Sequence, residues 1–198
     1  MQDASQRYAH QTYTLRRKVF SFPGQKFHLY DPQGDLVLFA KLKAFKIKED
    51  IRIYADDSQS KELLSIRTQS IFDIAGTYDV RDSVTNETVG ALRRKGLKSM
   101  LRDEWLILDR NGVEVGKIVE DSQIKALVRR FIDAASMFMP QKFHAEFEGQ
   151  TVATFQQNFN PFVQKITIDF TPDTAGKLDP RLGLAAAVLL CAIEGRQN

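Results

Sequence analysis

The stretch Asp179-Pro180-Arg181-Leu182-Gly183-Leu184-Ala185-Ala186-Ala187-Val188-Leu189-Leu190-Cys191-Ala192-Ile193-Glu194 decides how the rest of the chain is read. From Leu182 to Ile193 it holds no charged side chain. Those 12 residues would make a helix about 18 Å long, well short of the ~20 residues that a bilayer core needs. A helix apolar on every side belongs inside a core. Asp179 followed by Pro180 is a start signal, a cap and then a first helical position. Glu194 marks where the helix emerges, and Gly183 with three alanines keeps it narrow. The stretch therefore predicts a buried helix over about residues 180–194 and, around it, an enclosure with room on its axis.

Upstream, the sequence supplies the wall. Val37, Leu63, Val89 and Val115 recur every 26 residues, and Val152 and Leu178 are again 26 apart. Three positions before each stands Gly34, Ser60, Asn86, Gly112, Gly149 or Ala175. Before each turn lies an alternating apolar pair, such as Phe27 and Leu29, Ile51 and Ile53, or Trp105 and Ile107. Aspartate and glycine between pair and strand favour a tight turn, through side-chain hydrogen bonds and tolerance of positive φ. Each unit reads as strand, turn, strand, and six units predict about twelve strands. An open antiparallel sheet of that width leaves two edges, and closure removes them. Twelve strands ~4.8 Å apart and tilted ~40° enclose a radius of roughly 12 Å, which a helix with its side chains and the wall's inward side chains would fill. The expected fold is mainly β, a closed twelve-stranded antiparallel barrel of six hairpin repeats around a buried C-terminal hydrophobic helix.

One spacing, from Val115 to Val152, exceeds the period. The excess reads as an amphipathic helical insert over about residues 121–139, with Ile124, Leu127, Val128, Phe131, Ala135 and Phe138 at helical spacing and Pro140 as its stop. Two readings of it stay open. One is a helix packed on the barrel; the other is a docking helix for a partner or membrane surface, using Arg129, Arg130, Met137 and Phe138. Residues 1–12 are polar, without the apolar core of a secretory signal, and are expected to be a flexible lead to a single domain over 13–198.

The chain has 198 residues, 43 % apolar and 27 % charged, the balance of an ordinary globular domain. Its net charge of +3 falls short of a typical nucleic-acid-binding domain, so no nucleic-acid partner is expected. One cysteine, Cys191, excludes an internal disulfide and a cysteine zinc site, fits a cytoplasmic setting, and is expected to be an inert packing residue. His28 and His144 fall at equivalent repeat positions and read as strand residues, so no metal is expected. No nucleophile elbow, P-loop, dinucleotide fingerprint or zinc-protease motif is present. No catalytic residue, cofactor or enzymatic activity is expected.

Leu15-Arg16-Arg17-Lys18-Val19-Phe20 leading to Phe27-His28-Leu29-Tyr30-Asp31, and Leu92-Arg93-Arg94-Lys95 leading to Trp105-Leu106-Ile107-Leu108-Asp109-Arg110-Asn111-Gly112, carry a resemblance. They are similar to the LURP-one-related family, part of the tubby C-terminal-like superfamily that also holds the phospholipid scramblases. The resemblance runs from about Tyr13 to Ile193. It implies a twelve-stranded barrel around a C-terminal helix, and, from the tubby proteins, binding of phosphoinositide headgroups by basic residues on strands.

The basic clusters are the candidate sites. Lys41 and Lys43 belong to a run that continues through Lys46 and Lys48, interleaved with Leu42, Phe45 and Ile47. Arg93, Arg94, Lys95 and Lys98 form the second cluster. Such cations suit a phosphorylated headgroup, arginine as a bidentate fork and lysine as a point charge, and attract an anionic leaflet. The bland alternative is a solvated strand face. The expected function is a non-enzymatic binding module associating with anionic membrane lipid or phosphoinositide through Lys41, Lys43, Arg93, Arg94, Lys95 and Lys98. Its expected location is cytoplasmic, with a peripheral place at the inner membrane face and no transmembrane span. A scramblase-like lipid transporter and a soluble scaffold for an unknown protein are the alternatives.

Overall fold

The repeat begins with local chemistry. Where an alternating pair ends, an aspartate folds the chain back. Asp31 Oδ1 accepts the Asp35 amide at 2.8 Å, Asp82 Oδ1 the Val84 and Thr85 amides at 2.8 and 3.0 Å, and Asp109 Oδ1 the Asn111 and Val113 amides, both at 2.8 Å. Positive φ follows at Gly34, Asn86 and Gly112, and at Gln59 in the turn where the sequence pointed to Ser60. The computed structural model describes residues 5–18, 24–42, 50–68, 76–95, 104–121, 141–158 and 163–193.

The strands are β1 (Thr12–Lys18), β2 (Gln25–Tyr30), β3 (Leu36–Leu42), β4 (Asp50–Tyr54), β5 (Glu62–Thr68), β6 (Thr77–Asp82), β7 (Thr88–Arg94), β8 (Glu104–Leu108), β9 (Glu114–Glu120), β10 (Lys142–Phe147), β11 (Gln150–Asn158) and β12 (Val163–Asp169). One helix, α1 (Pro180–Ile193), follows them. Every strand pairs antiparallel with its sequence neighbours, and β1 pairs with β12 to close the barrel. The repeat extends to the irregularities. A register shift falls at the same place before the turn in five hairpins, at Leu29/Tyr30, Ile53/Tyr54, Val80/Arg81, Ile107/Leu108 and Ala145/Glu146. Such a bulge sharpens local twist, which a closed wall requires.

The sixth unit departs from the predicted strand, turn, strand. After β12 the chain does not return as a strand. The Asp173 carboxylate accepts the Lys177 and Leu178 amides at 2.9 and 2.8 Å, and Leu178 leads into α1. Pro172 and Gly176, the latter at φ +63°, favour turns over a strand. The twelfth strand is instead β1, whose Tyr13 and Leu15 point inward.

The helix fills the axis. Residues Leu182–Ile193 are all buried, and they share one continuous core with inward side chains of every strand, from Leu15 and Phe27 to Trp105 and Ile168. The fit is close. A Cβ on Gly183 would lie 2.5 Å from the Phe170 ring, and one on Gly90 of the wall would lie 2.5 Å from Leu108 O and 3.0 Å from Leu182 Cδ2. The start signal operates as expected: the Asp179 carboxylate accepts the Arg181 amide at 2.9 Å. Cys191 is fully buried, and burial pushes its thiol up to about 12.

The two ends of the barrel differ. The tight turns and the start of α1 lie at one end, called here the turn end. There, Gln6–Tyr8 forms a single 3-10 turn, and the Arg7 guanidinium donates to Val37 O and Ala55 O at 2.6 and 2.7 Å. Arg181 joins Asp82 at 2.8 Å to Asp179 at 2.7 Å. At the other end α1 finishes, and Arg17, buried on β1, donates to Cys191 O at 3.0 Å. The helical insert expected at 121–139 falls on residues outside the described ones, Asp121 excepted.

Candidate functional site

Alternation sends every second strand residue outward. On β5 these are Ser65 and Arg67; on β6, Thr77, Asp79 and Arg81; on β7, Ala91 and Arg93. The register aligns them across strands: Ser65 opposite Arg81, Arg67 opposite Asp79, Asp79 opposite Ala91, Thr77 opposite Arg93. Because Ser65, Thr77 and Ala91 are small, the outer wall is hollowed there, and the β8–β9 turn Asp109–Gly112 borders the hollow. The result is a groove of about 540 Å³ running along the strands. Its lining includes Arg67, Arg81, Arg93 and Arg110, with the hydroxyl-bearing Ser65, Thr68, Thr77 and Thr88.

The engagement of these cations differs. Arg93 Nε donates to Thr77 Oγ1 at 3.1 Å, which fixes the guanidinium by one edge. Arg67 Nε stands 3.9 Å from Asp50 Oδ1. Arg81 and Arg110 have no hydrogen-bond or ion-pair partner among the described residues. Asp109, next to Arg110 in sequence, gives its carboxylate to its turn: the Val113 amide, then that of Asn111 and last the Arg110 charge hold its carboxyl below the usual carboxylate range. Four guanidiniums around a concave, hydroxyl-bearing floor are suited to bidentate contact with a phosphate-type anion.

The candidates read from the sequence divide. Arg93 lines the groove. Arg94 turns the other way and lies over the Trp105 ring, 6.0 Å from its centroid, while Lys95 is paired with Glu104 at 2.8 Å, whose carboxylate raises its pKa. Lys41 is on β3, with its Nζ 3.4 Å from Gln59 Oε1. Lys41 and Arg93 are four strands apart around the wall, so they do not meet. They are linked by a transverse row, since Lys26 faces Lys41, Lys41 faces Arg52, and Arg52 faces Ser65 of the groove. Within that row Arg52 is neutralised by Asp50 and by Glu62, whose two carboxylate oxygens accept from the single nitrogen Nη1 at 2.7 and 2.9 Å. Lys43, Lys98, Arg129, Arg130, Met137 and Phe138 lie outside the described residues.

Sequence reasoning missed Arg67, Arg81 and Arg110. A signal for one was present: Lys41, Arg67 and Arg93 stand 26 residues apart, one position in successive repeats.

A second cleft, about 810 Å³, opens at the turn end between residues 5–11 and the segment from Phe170 to Arg181. Its charges are largely spent within the protein. Arg181 is held by Asp82 and Asp179, and Lys177 by Glu148 at 2.6 Å. Arg81 and Arg110, which make no hydrogen bond or ion pair among the described residues, leave the groove richer in available cations, four against the carboxylates of Asp79 and Asp109.

A closed twelve-stranded antiparallel barrel threaded by its own helix defines the architectural class. Within it the chain belongs to the LURP-one-related family, whose family model matches residues 11–191. That match covers all twelve strands and α1 to Cys191. No curated protein matches the sequence. Among the described residues, no helix is long and apolar enough to cross a membrane.

Proposed function

We propose that this barrel is a non-enzymatic binding module that associates with anionic membrane lipid, and that its outer-wall groove receives a phosphate-type headgroup. The observation that carries the reading is that Arg67, Arg81, Arg93 and Arg110 all line one groove with a hydroxyl-bearing floor. A second fact favours a membrane over a free anion. The six segments joining strands at the end opposite the tight turns hold nine Lys or Arg against five acids, together with eight of the chain's 14 phenylalanines. Basic residues interleaved with aromatic ones attract and enter an anionic interface. The reading is binding rather than scrambling because α1 fills the axis of the barrel, leaving the outer wall as the surface a lipid can reach.

Co-sedimentation at low salt tests it. The full chain is expected to pellet with mixed phosphatidylserine–phosphatidylcholine vesicles and not with phosphatidylcholine alone. Arg81→Ala and Arg93→Ala are each expected to weaken that partitioning about fivefold or more. Equal binding to neutral and anionic vesicles overturns the reading.

A further inference from the structure

The groove's cations are not gathered at one point. Arg81 and Arg110 lie toward the turn end, Arg81 on the row of Ser65 and Thr88, and Arg110 in the bordering turn. Arg93 lies toward the opposite end, on the row of Thr77, with Arg67 on the row between. Thr77 to Arg81 is four residues along β6, about 13 Å. Asp79 stands midway, facing Arg67 across the ladder. A single phosphate cannot reach both sets, and a third negative charge at the centre would meet the Asp79 carboxylate. The floor at the centre is small and partly apolar, with Gly90, Ala91 and Leu108.

Building on the anion-binding reading above, we propose that the groove is a two-point site for a linear ligand bearing a phosphate-type group at each end, one held by Arg81 and Arg110 and the other by Arg93 and Arg67. The uncharged middle of the ligand lies along the strands over Ala91. Guanidinium forks make two parallel hydrogen bonds to each terminal anion, and joining the two anions makes the second contact intramolecular. A ligand of matched length therefore binds far better than either half. Binding depends on the distance between its charges as well as on their number.

Calorimetric titration of the full chain with methyl phosphate and with alkane-α,ω-diol bisphosphates of increasing spacer length reads this directly. Affinity is expected to peak at an intermediate spacer, with phosphorus atoms about 10 Å apart, and to exceed that for methyl phosphate at least about tenfold. Arg81→Ala and Arg93→Ala should each bring the best bisphosphate to within about twofold of methyl phosphate, while changing methyl phosphate itself about twofold or less. Both side chains stand on the outer wall, and thermal melts of the variants report whether the fold is kept. Methyl phosphate binding with no gain at any spacer length overturns the two-point geometry and leaves the anion-binding reading in place. Absence of binding by every probe overturns both. Phosphatidylserine vesicles assayed with the same variants separate the sources of ligand. Parallel loss supports a ligand carried on the bilayer; unchanged vesicle binding beside lost bisphosphate binding overturns the groove as the lipid-headgroup site while the two-point site stands.

Discussion

The two ends of the barrel are built from the same repeat, yet they have opposite character. The six segments at the turn end hold nine acids against three bases; those at the opposite end hold nine bases against five acids. The turn end is tied together by aspartates that cap their own turns and by two arginines, Arg7 and Arg181, that bridge separate elements. Negative charge there is in large part structural, since Asp31, Asp56, Asp109, Asp173 and Asp179 each accept backbone amides of their own turn or helix start. At the other end Lys95 is paired with Glu104, and the excess of bases in those segments is the charge that the proposed membrane contact uses. Under the proposed function, the repeat fold places stabilising charge at one end and membrane contact at the other.

The largest expected effect tests the shared axis. Leu184, near the start of α1, is fully buried, and Leu184→Ala should cost about 4 kcal/mol in urea denaturation. Ile193, at the far end and 9 % exposed, should cost about 2 kcal/mol on conversion to alanine. Equal costs would break the asymmetry. Next, Lys43, Lys46 and Lys48 together should contribute about 3 kcal/mol to anionic vesicle binding. The triple alanine variant is expected to bind roughly 100-fold more weakly, whereas Asp56→Asn with Asp57→Asn at the turn end should not weaken it.

Arg181→Ala should then cost about 2 kcal/mol, because it strands the buried Asp82 carboxylate. Burial pushes Asp82 up, but the Thr85 and Val84 amides and the Arg181 guanidinium outweigh it and hold the group below the usual carboxylate range. A depressed folded pKa stabilises the protein above the unfolded value of about 4, and that contribution is lost as pH falls through the folded value. Wild-type protein should accordingly lose stability below about pH 4, and Arg181→Ala should flatten that acid limb. The smallest effect sharpens the turns: Gln59→Gly, at φ +58°, should stabilise by up to about 1 kcal/mol in the same assay.

Much of the fold was legible because burial leaves a one-dimensional trace. The all-apolar run from Leu182, the 26-residue period and the aspartates before each turn are local in sequence. The role of β1 was not legible as closure, because pairing of Thr12–Lys18 with β12 joins the two extremes of the chain. Nor does any local pattern announce that Arg7 clasps the carbonyls of Val37 and Ala55. The groove was only partly legible. Arg93 stood in a visible cluster, but its neighbours Arg67, Arg81 and Arg110 reach the same groove only through cross-strand register. Arg94 and Lys95, adjacent in sequence, are taken up by Trp105 and Glu104.

Ring closure has a consequence for the order of synthesis. On the ribosome, β1 emerges first, and its partner β12 only after the intervening ten strands; α1 comes later still. Until then the nascent chain is a curved sheet with two raw edges and a bare greasy lining, the state most open to misassociation. Completion couples the most distant segments in a single late event, which favours slow folding for a chain of this size.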